Sequence, residues 1–144
     1  MTLNQVTLAV LDDEECHLEL LKIKLSKFNA NTKCNTRIVM DTYQSPDDFI
    51  KNFNHDIGLI DVNLGGKKNG FEVAAEVFKK YLPGILLINS MYFKEDEFQD
   101  DSILSKHGLK ISEILSRFWA LRNRPNRNVL QIMTRKAEIQ NNVG

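Results

Sequence analysis

Residues 57–70 read IGLIDVNLGGKKNG. Ile57, Leu59 and Ile60 make a short apolar run, and glycines close it. Such a run is the signature of a strand buried on both faces of a parallel sheet. A strand of that kind has no place for a charge at its centre, so Asp61 belongs at its carboxyl end. Open α/β sheets set their ligand sites at the carboxyl ends of strands. Residues 6–11 repeat the form, running apolar into Asp12 and Asp13. Two such strands side by side bring three carboxylates to one place.

Working outward, residues 14–28 carry Leu18, Leu21, Leu25 and Phe28 at helical spacing. Residues 29–36 are polar and read as a loop, and residues 37–40, β-branched at Ile38 and Val39, read as a second strand. Ser45, Pro46, Asp47 and Asp48 form a helix start: a capping hydroxyl, a proline in the first turn and acids at the positive end of the dipole. Phe49, Ile50 and Phe53 supply its buried side. Asn69 and Gly70 open another helix, whose stripe of Phe71, Ala74, Val77, Phe78 and Tyr81 ends at Pro83 and Gly84. Residues 85–88 form a fourth buried strand, closed by Asn89 and Ser90. Ile103 and Leu104 begin a short fifth strand ending near Lys106. Ile111, Ile114, Leu115, Phe118 and Leu121 mark the last helix. Strands alternate with helices, which predicts βα units and a parallel sheet covered on both faces.

The length of 144 residues suits one domain with a real core. With 19 basic and 19 acidic residues, no global charge draws the chain to nucleic acid or to an anionic membrane. No apolar run reaches spanning length, and no basic segment precedes the first one, so neither a membrane protein nor a signal peptide is expected. Cys16 and Cys34 read as two reduced thiols, and the expected location is the cytoplasm. His17, His55 and His107 share no ligand spacing, so no histidine-built metal site is expected. Beyond Ala120 the composition turns basic, with Arg122, Arg124, Arg127, Arg135 and Lys136 against Glu138 alone. The division expected is a domain over residues 1–122 and a basic extension over 123–144: a tail, a short helix on Val129, Ile132 and Met133, or a linker stub. That extension is too short for a helix-turn-helix or an enzymatic domain. Contact with nucleic acid is expected only if an output domain lies beyond this sequence.

Asp12, Asp13, Asp61, Ser90 and Lys106 thus stand in order at strand ends. Over residues 6–122 this pattern resembles the receiver (CheY-like) domain of two-component response regulators. The resemblance implies a flavodoxin-like (βα)5 three-layer sandwich with sheet order 2-1-3-4-5 and its site at the switch point between strands one and three. It implies Asp61 as phosphoacceptor, Asp13 as direct Mg²⁺ ligand, Asp12 as holder of a metal-bound water and the Asn63 backbone carbonyl as a further ligand. Ser90 would be the switch hydroxyl, and Lys106 the partner of the phosphoryl group. The donor would be a histidine kinase or a histidine phosphotransfer protein. The downstream protein partner is not given, a homodimer fits, and no membrane is involved.

The chemistry has its own logic. Three close carboxylates repel and raise one another's pKa, and a hard divalent cation removes the conflict. One of them then serves as a nucleophile toward a phosphoryl group, with a lysine and the cation neutralising charge. Such a chain is a signalling domain acting on itself, not an enzyme with turnover. Two other readings compete. One is a phosphorylation-independent pseudo-receiver acting as an interaction module. The other is a phosphatase of the haloacid dehalogenase type, which has a second aspartate two residues after the nucleophile, where this chain has Asn63.

Four departures from the family pattern stand out. His107 follows Lys106 where a cis-joined proline is usual; the loop of residues 64–68 lacks the usual Met-Pro; and Ile103 replaces a frequent aromatic. Residues 91–102, with Glu95, Asp96, Glu97, Asp100 and Asp101, are short for a helix with its loops, so the fourth helix is expected to be shortened, displaced or missing. The output face would then be altered, with Tyr92, Phe93 or Phe98 as contacts.

Overall fold

Nine elements follow one another along the chain: β1 (Asn4–Leu11), α1 (Glu15–Asn29), β2 (Thr36–Tyr43), α2 (Pro46–Asn52), β3 (Ile57–Asp61), α3 (Gly70–Phe78), β4 (Ile85–Ser90), β5 (Ile103–Ser105) and α4 (Ile111–Arg122). They are seen in a computed structural model that describes residues 4–31, 33–66, 68–80, 83–90, 102–106 and 108–122. The five strands form one parallel sheet in the order β2-β1-β3-β4-β5. This is the doubly wound arrangement expected from the alternation of elements.

The apolar runs account for the sheet. Every residue of β3 and β4 is buried, as central strands with helices on both faces require. α1 touches α4, and α2 touches α3. Leu18, Leu21 and Leu25 of α1 and Ile114, Leu115 and Phe118 of α4 enter the core. On α2 the buried anchor is Phe49, stacked on Phe53 and edge-on to Tyr43.

Local signals set the helix ends. The Ser45 hydroxyl accepts from the Asp48 N–H at 3.4 Å, with Pro46 at the start of α2. Asn69 and Glu72 form a reciprocal capping box on α3. Gly70 opens α3 against the end of β3, where a Cβ would overlap the carbonyl oxygen of Asp61.

Three boundaries differ from the sequence expectation. β2 runs to Tyr43, beyond residue 40, because backbone pairing with β1 carries the polar residues 41–43. Its outer side is met by Asn29 at the end of α1: the Asn29 amide donates to the Ile38 carbonyl at 2.8 Å and accepts the Ile38 N–H at 3.0 Å. α3 ends at Phe78 with Lys79 as C-cap, and Tyr81, the last residue of the expected stripe, lies outside the described residues. β4 includes Asn89 and Ser90, which pair with Asp61 and Ser105 respectively. The expectation of an altered fourth helix falls almost wholly on residues 91–101, outside those described, as does the whole extension 123–144. Ser102, which closes that segment, is buried.

Candidate functional site

The carboxyl ends of β1, β3, β4 and β5 converge at the switch point. Asp12 is the residue after β1, Asp61 the last of β3, Ser90 the last of β4 and Lys106 the first after β5. Asp12, Asp61 and Ser90 are buried. The sheet register explains the convergence, since Leu11 pairs with Ile60, Asp61 with Asn89, and Ser90 with Ser105.

The acids meet as the sequence suggested. One carboxylate oxygen from each of Asp12, Asp13 and Asp61 lies within 4.8 Å of the others, close enough to share one ion. The Lys106 ammonium bridges two of them, at 2.7 Å from Asp12 Oδ2 and 3.0 Å from Asp61 Oδ2. Asp13 differs in facing solvent. Asp12 also holds the chain in place, accepting the Glu14 N–H at 2.9 Å through its other oxygen. The backbone N–H of exposed Asn63 donates to Asp61 Oδ1 at 3.3 Å. Ser90 enters through its backbone, its carbonyl accepting the Lys106 N–H at 3.0 Å and fixing where the lysine starts. His107 lies outside the described residues.

Burial sets the electrostatics. Desolvation raises the Asp61 pKa, and the nearby charge of Asp12 raises it further; the bonds from Lys106 and the Asn63 N–H oppose both without cancelling them. Burial pulls Lys106 down, but its bonds to Asp12 and Asp61 outweigh that and hold its pKa above the ordinary value, so it stays charged. The donor set suits Mg²⁺, being all oxygen, anionic and half-buried around one point. Among the described residues one ammonium faces three acids, which leaves the pocket short of positive charge that a divalent ion would supply.

Several residues at the site escaped the sequence reading. Asn89 is buried beside Asp61 and shares with Asp12, His17, Lys24 and Lys106 the wall of a cleft of about 210 Å³. Its place at the end of a buried strand was the available signal. Gly65 has φ +51°, and a Cβ there would come within 2.8 Å of Asp13 Oδ2; a glycine two residues past Asn63 was the hint. Gln44 Nε2 donates to the Asp13 carbonyl at 3.4 Å, a contact no sequence pattern announces. A larger hollow, about 830 Å³, opens at the opposite end of the sheet beside Asn4, His55, Asp56, Gly84 and Trp119. It contains none of the five strand-end residues.

No protein-family model matches the chain, and no curated protein matches it by sequence. Solved structures do match in fold. The signal receiver domain of the response regulator NarL from Mycobacterium tuberculosis aligns over 84% of this chain and 99% of its own, with a TM-score of 0.61 and 20% identity. The N-terminal domain of a response regulator/sensory box/GGDEF protein from Carboxydothermus hydrogenoformans aligns over 79% and 94%, with a TM-score of 0.60 and 9% identity. The response regulator TrrA from Thermotoga maritima, solved in complex with Mg²⁺-BeF, aligns over 69% and 83%, with a TM-score of 0.52 and 23% identity. The chain has the flavodoxin-like receiver fold. Among the described residues no helix is long and apolar enough to cross a membrane.

Proposed function

We propose that this chain is a phosphoacceptor receiver of a two-component phosphorelay, in which phosphorylation of Asp61 reshapes a partner-binding surface. The observation that carries the reading is the buried Asp12–Lys106–Asp61 bridge at the switch point of a receiver fold, with Asp13 close enough to share an ion. Receiver folds that carry Mg²⁺ and a phosphoryl mimic, such as TrrA with Mg²⁺-BeF, support it.

In this reading an Asp61 carboxylate oxygen attacks the phosphorus of a phosphohistidine. The P–N bond breaks, its electron pair leaves with the imidazole, and an aspartyl phosphate remains. Asp12, Asp13, Asp61 and the Asn63 carbonyl would hold Mg²⁺, which supplies charge neutralisation to the acids and to the phosphoryl oxygens. Lys106 already bonds Asp61 Oδ2 and stays on the transferred group. Ser90, at the next strand end, supplies a hydroxyl to a phosphoryl oxygen. The acceptor is consumed once per event and restored by hydrolysis, so the domain is a switch that catalyses its own phosphoryl transfer and loss. The donor is a histidine kinase or a histidine phosphotransfer protein, in the cytoplasm where such donors act.

The test is intact mass after incubation with Mg²⁺ and a small phosphodonor such as acetyl phosphate. One phosphate is expected per chain, lost on chelation of Mg²⁺ and absent in Asp61→Asn. Incorporation unchanged in Asp61→Asn overturns the acceptor assignment. No incorporation in a folded wild type replaces it with the phosphorylation-independent interaction module.

A further inference from the structure

Beside the acid pocket, on the first turn of α1, lies a second cluster of different chemistry. Glu14 is the N-cap of the helix, but its side chain makes no capping hydrogen bond. Its carboxylate turns instead toward Cys16 and His17. Glu14 Oε2 is 3.3 Å from His17 Nδ1 and 3.8 Å from Cys16 Sγ, and the three ligand atoms all lie within 4.8 Å of one another. Among the described residues His17 Nδ1 is itself buried and has no hydrogen-bond partner, although the ring as a whole is partly exposed. The imidazole nitrogen is shielded from water and makes no hydrogen bond, while carboxylate oxygens stand 3.3 and 3.5 Å away and a thiol converges on the same point, an arrangement that a shared cation would satisfy.

We propose that Glu14, Cys16 and His17 form a binding site for a borderline transition-metal ion, with Zn²⁺ as the natural occupant. Tetrahedral Zn²⁺ binds nitrogen and oxygen at about 2.0–2.1 Å and sulfur at about 2.3 Å, which puts ligand atoms roughly 3.3–3.5 Å apart. The Glu14–His17 separation already has that value, and the Glu14–Cys16 separation exceeds it by a few tenths of an ångström. A thiolate and an imidazole select against Mg²⁺, which takes oxygen, so the two neighbouring sites divide the metals by ligand softness. Binding expels the thiol proton. Two anionic ligands suit the positive end of a helix. Water takes the fourth position, because Asp12 Oδ2, 3.5 Å from His17 Nδ1, is already bonded to Lys106. Three protein ligands and an open position are the pattern of accessible zinc sites. The absence of histidine spacing in the sequence does not bear on this, because only one ligand is a histidine. The site stands whether or not Asp61 is phosphorylated.

The experiment is titration of the full chain with Co²⁺ and Zn²⁺ under reducing conditions, without phosphodonor. Co²⁺ should give a thiolate-to-cobalt charge-transfer band and the intense visible bands of four-coordination, and Zn²⁺ should bleach both while millimolar Mg²⁺ should not. Cys16→Ser should abolish the charge-transfer band, and His17→Ala should weaken Zn²⁺ binding by at least about tenfold. Cys34→Ser, at the free cysteine outside the cluster, and Asp61→Asn should leave the band in place. Loss of the band in Cys34→Ser, its survival in Cys16→Ser, or weak octahedral bands without thiolate character would each overturn the site. Cys16 is exposed, so circular dichroism should show the Cys16→Ser fold intact and make its result readable.

Discussion

Lys106 serves two acids at once, and its removal tests what holds the pocket together. Its side chain is 11% exposed and those of Asp12 and Asp61 are 5% and 6% exposed, so the bridge is effectively buried. Breaking a buried ion pair on one side strands the charge on the other. Lys106→Met should lower stability by about 3 kcal/mol in urea unfolding without divalent ion. Mg²⁺ should stabilise that variant more than the wild type, since it replaces the missing positive charge. Asp61 gives a pH test. Its pKa in the fold is raised, by burial first and by Asp12 second. The fold thus favours the protonated acid: that contribution is whole below the ordinary value of 3.8 and is lost as pH rises through the raised one. Asp61→Asn should therefore unfold at higher urea than the wild type at neutral pH without Mg²⁺, with the gap closing as pH falls toward 3.8. Equal midpoints at all pH values would contradict this. The five strand-end residues were legible because a charge or hydroxyl closing an apolar run has few places to go. Asn89 and Gln44 were not, since each acquires its partners only when separate strands and helices meet.

At the scale of elements, the start of α3 is what places the acceptor. Gly70 lets the helix pack directly on the last peptide of β3, and its N–H donates to the Val62 carbonyl at 2.9 Å. Gly70→Ala must push α3 and the Asp61 peptide apart, at a cost on the order of 1–3 kcal/mol. It should also lower phosphoryl incorporation at Asp61 under conditions where circular dichroism shows the fold intact. Asn69→Ala, which removes one half of the neighbouring capping box, should cost about 1 kcal/mol while incorporation stays near wild type. If both variants lose stability alone, the glycine acts on the helix and not on the acceptor. Helix starts were readable here because caps are local chemistry. The length of β2 was not, because residues 41–43 owe their extended form to β1 and not to their own side chains.

The whole molecule has polarity: acids and the ammonium at one end of the sheet, Trp119, His55 and the larger hollow at the other. Alternation of strands and helices pointed to a parallel sheet and right-handed crossovers leave it few topologies, while the strand order itself came with the resemblance to receiver domains. Residue pairs that lock distant parts were invisible in the sequence. Thr7 and Asp56, 49 positions apart, bond through the Thr7 hydroxyl and the Asp56 carboxylate at 3.0 Å. The Asn29–Ile38 pair has a consequence for life at high concentration. β2 borders the sheet, and its free peptide groups would offer a second molecule a template for intermolecular strand addition. By satisfying both groups of Ile38, one asparagine amide acts as a sham strand that ends the ladder. Asn29→Ala should lose about 1–2 kcal/mol and, more tellingly, should associate as concentration rises in size-exclusion chromatography where the wild type elutes unchanged.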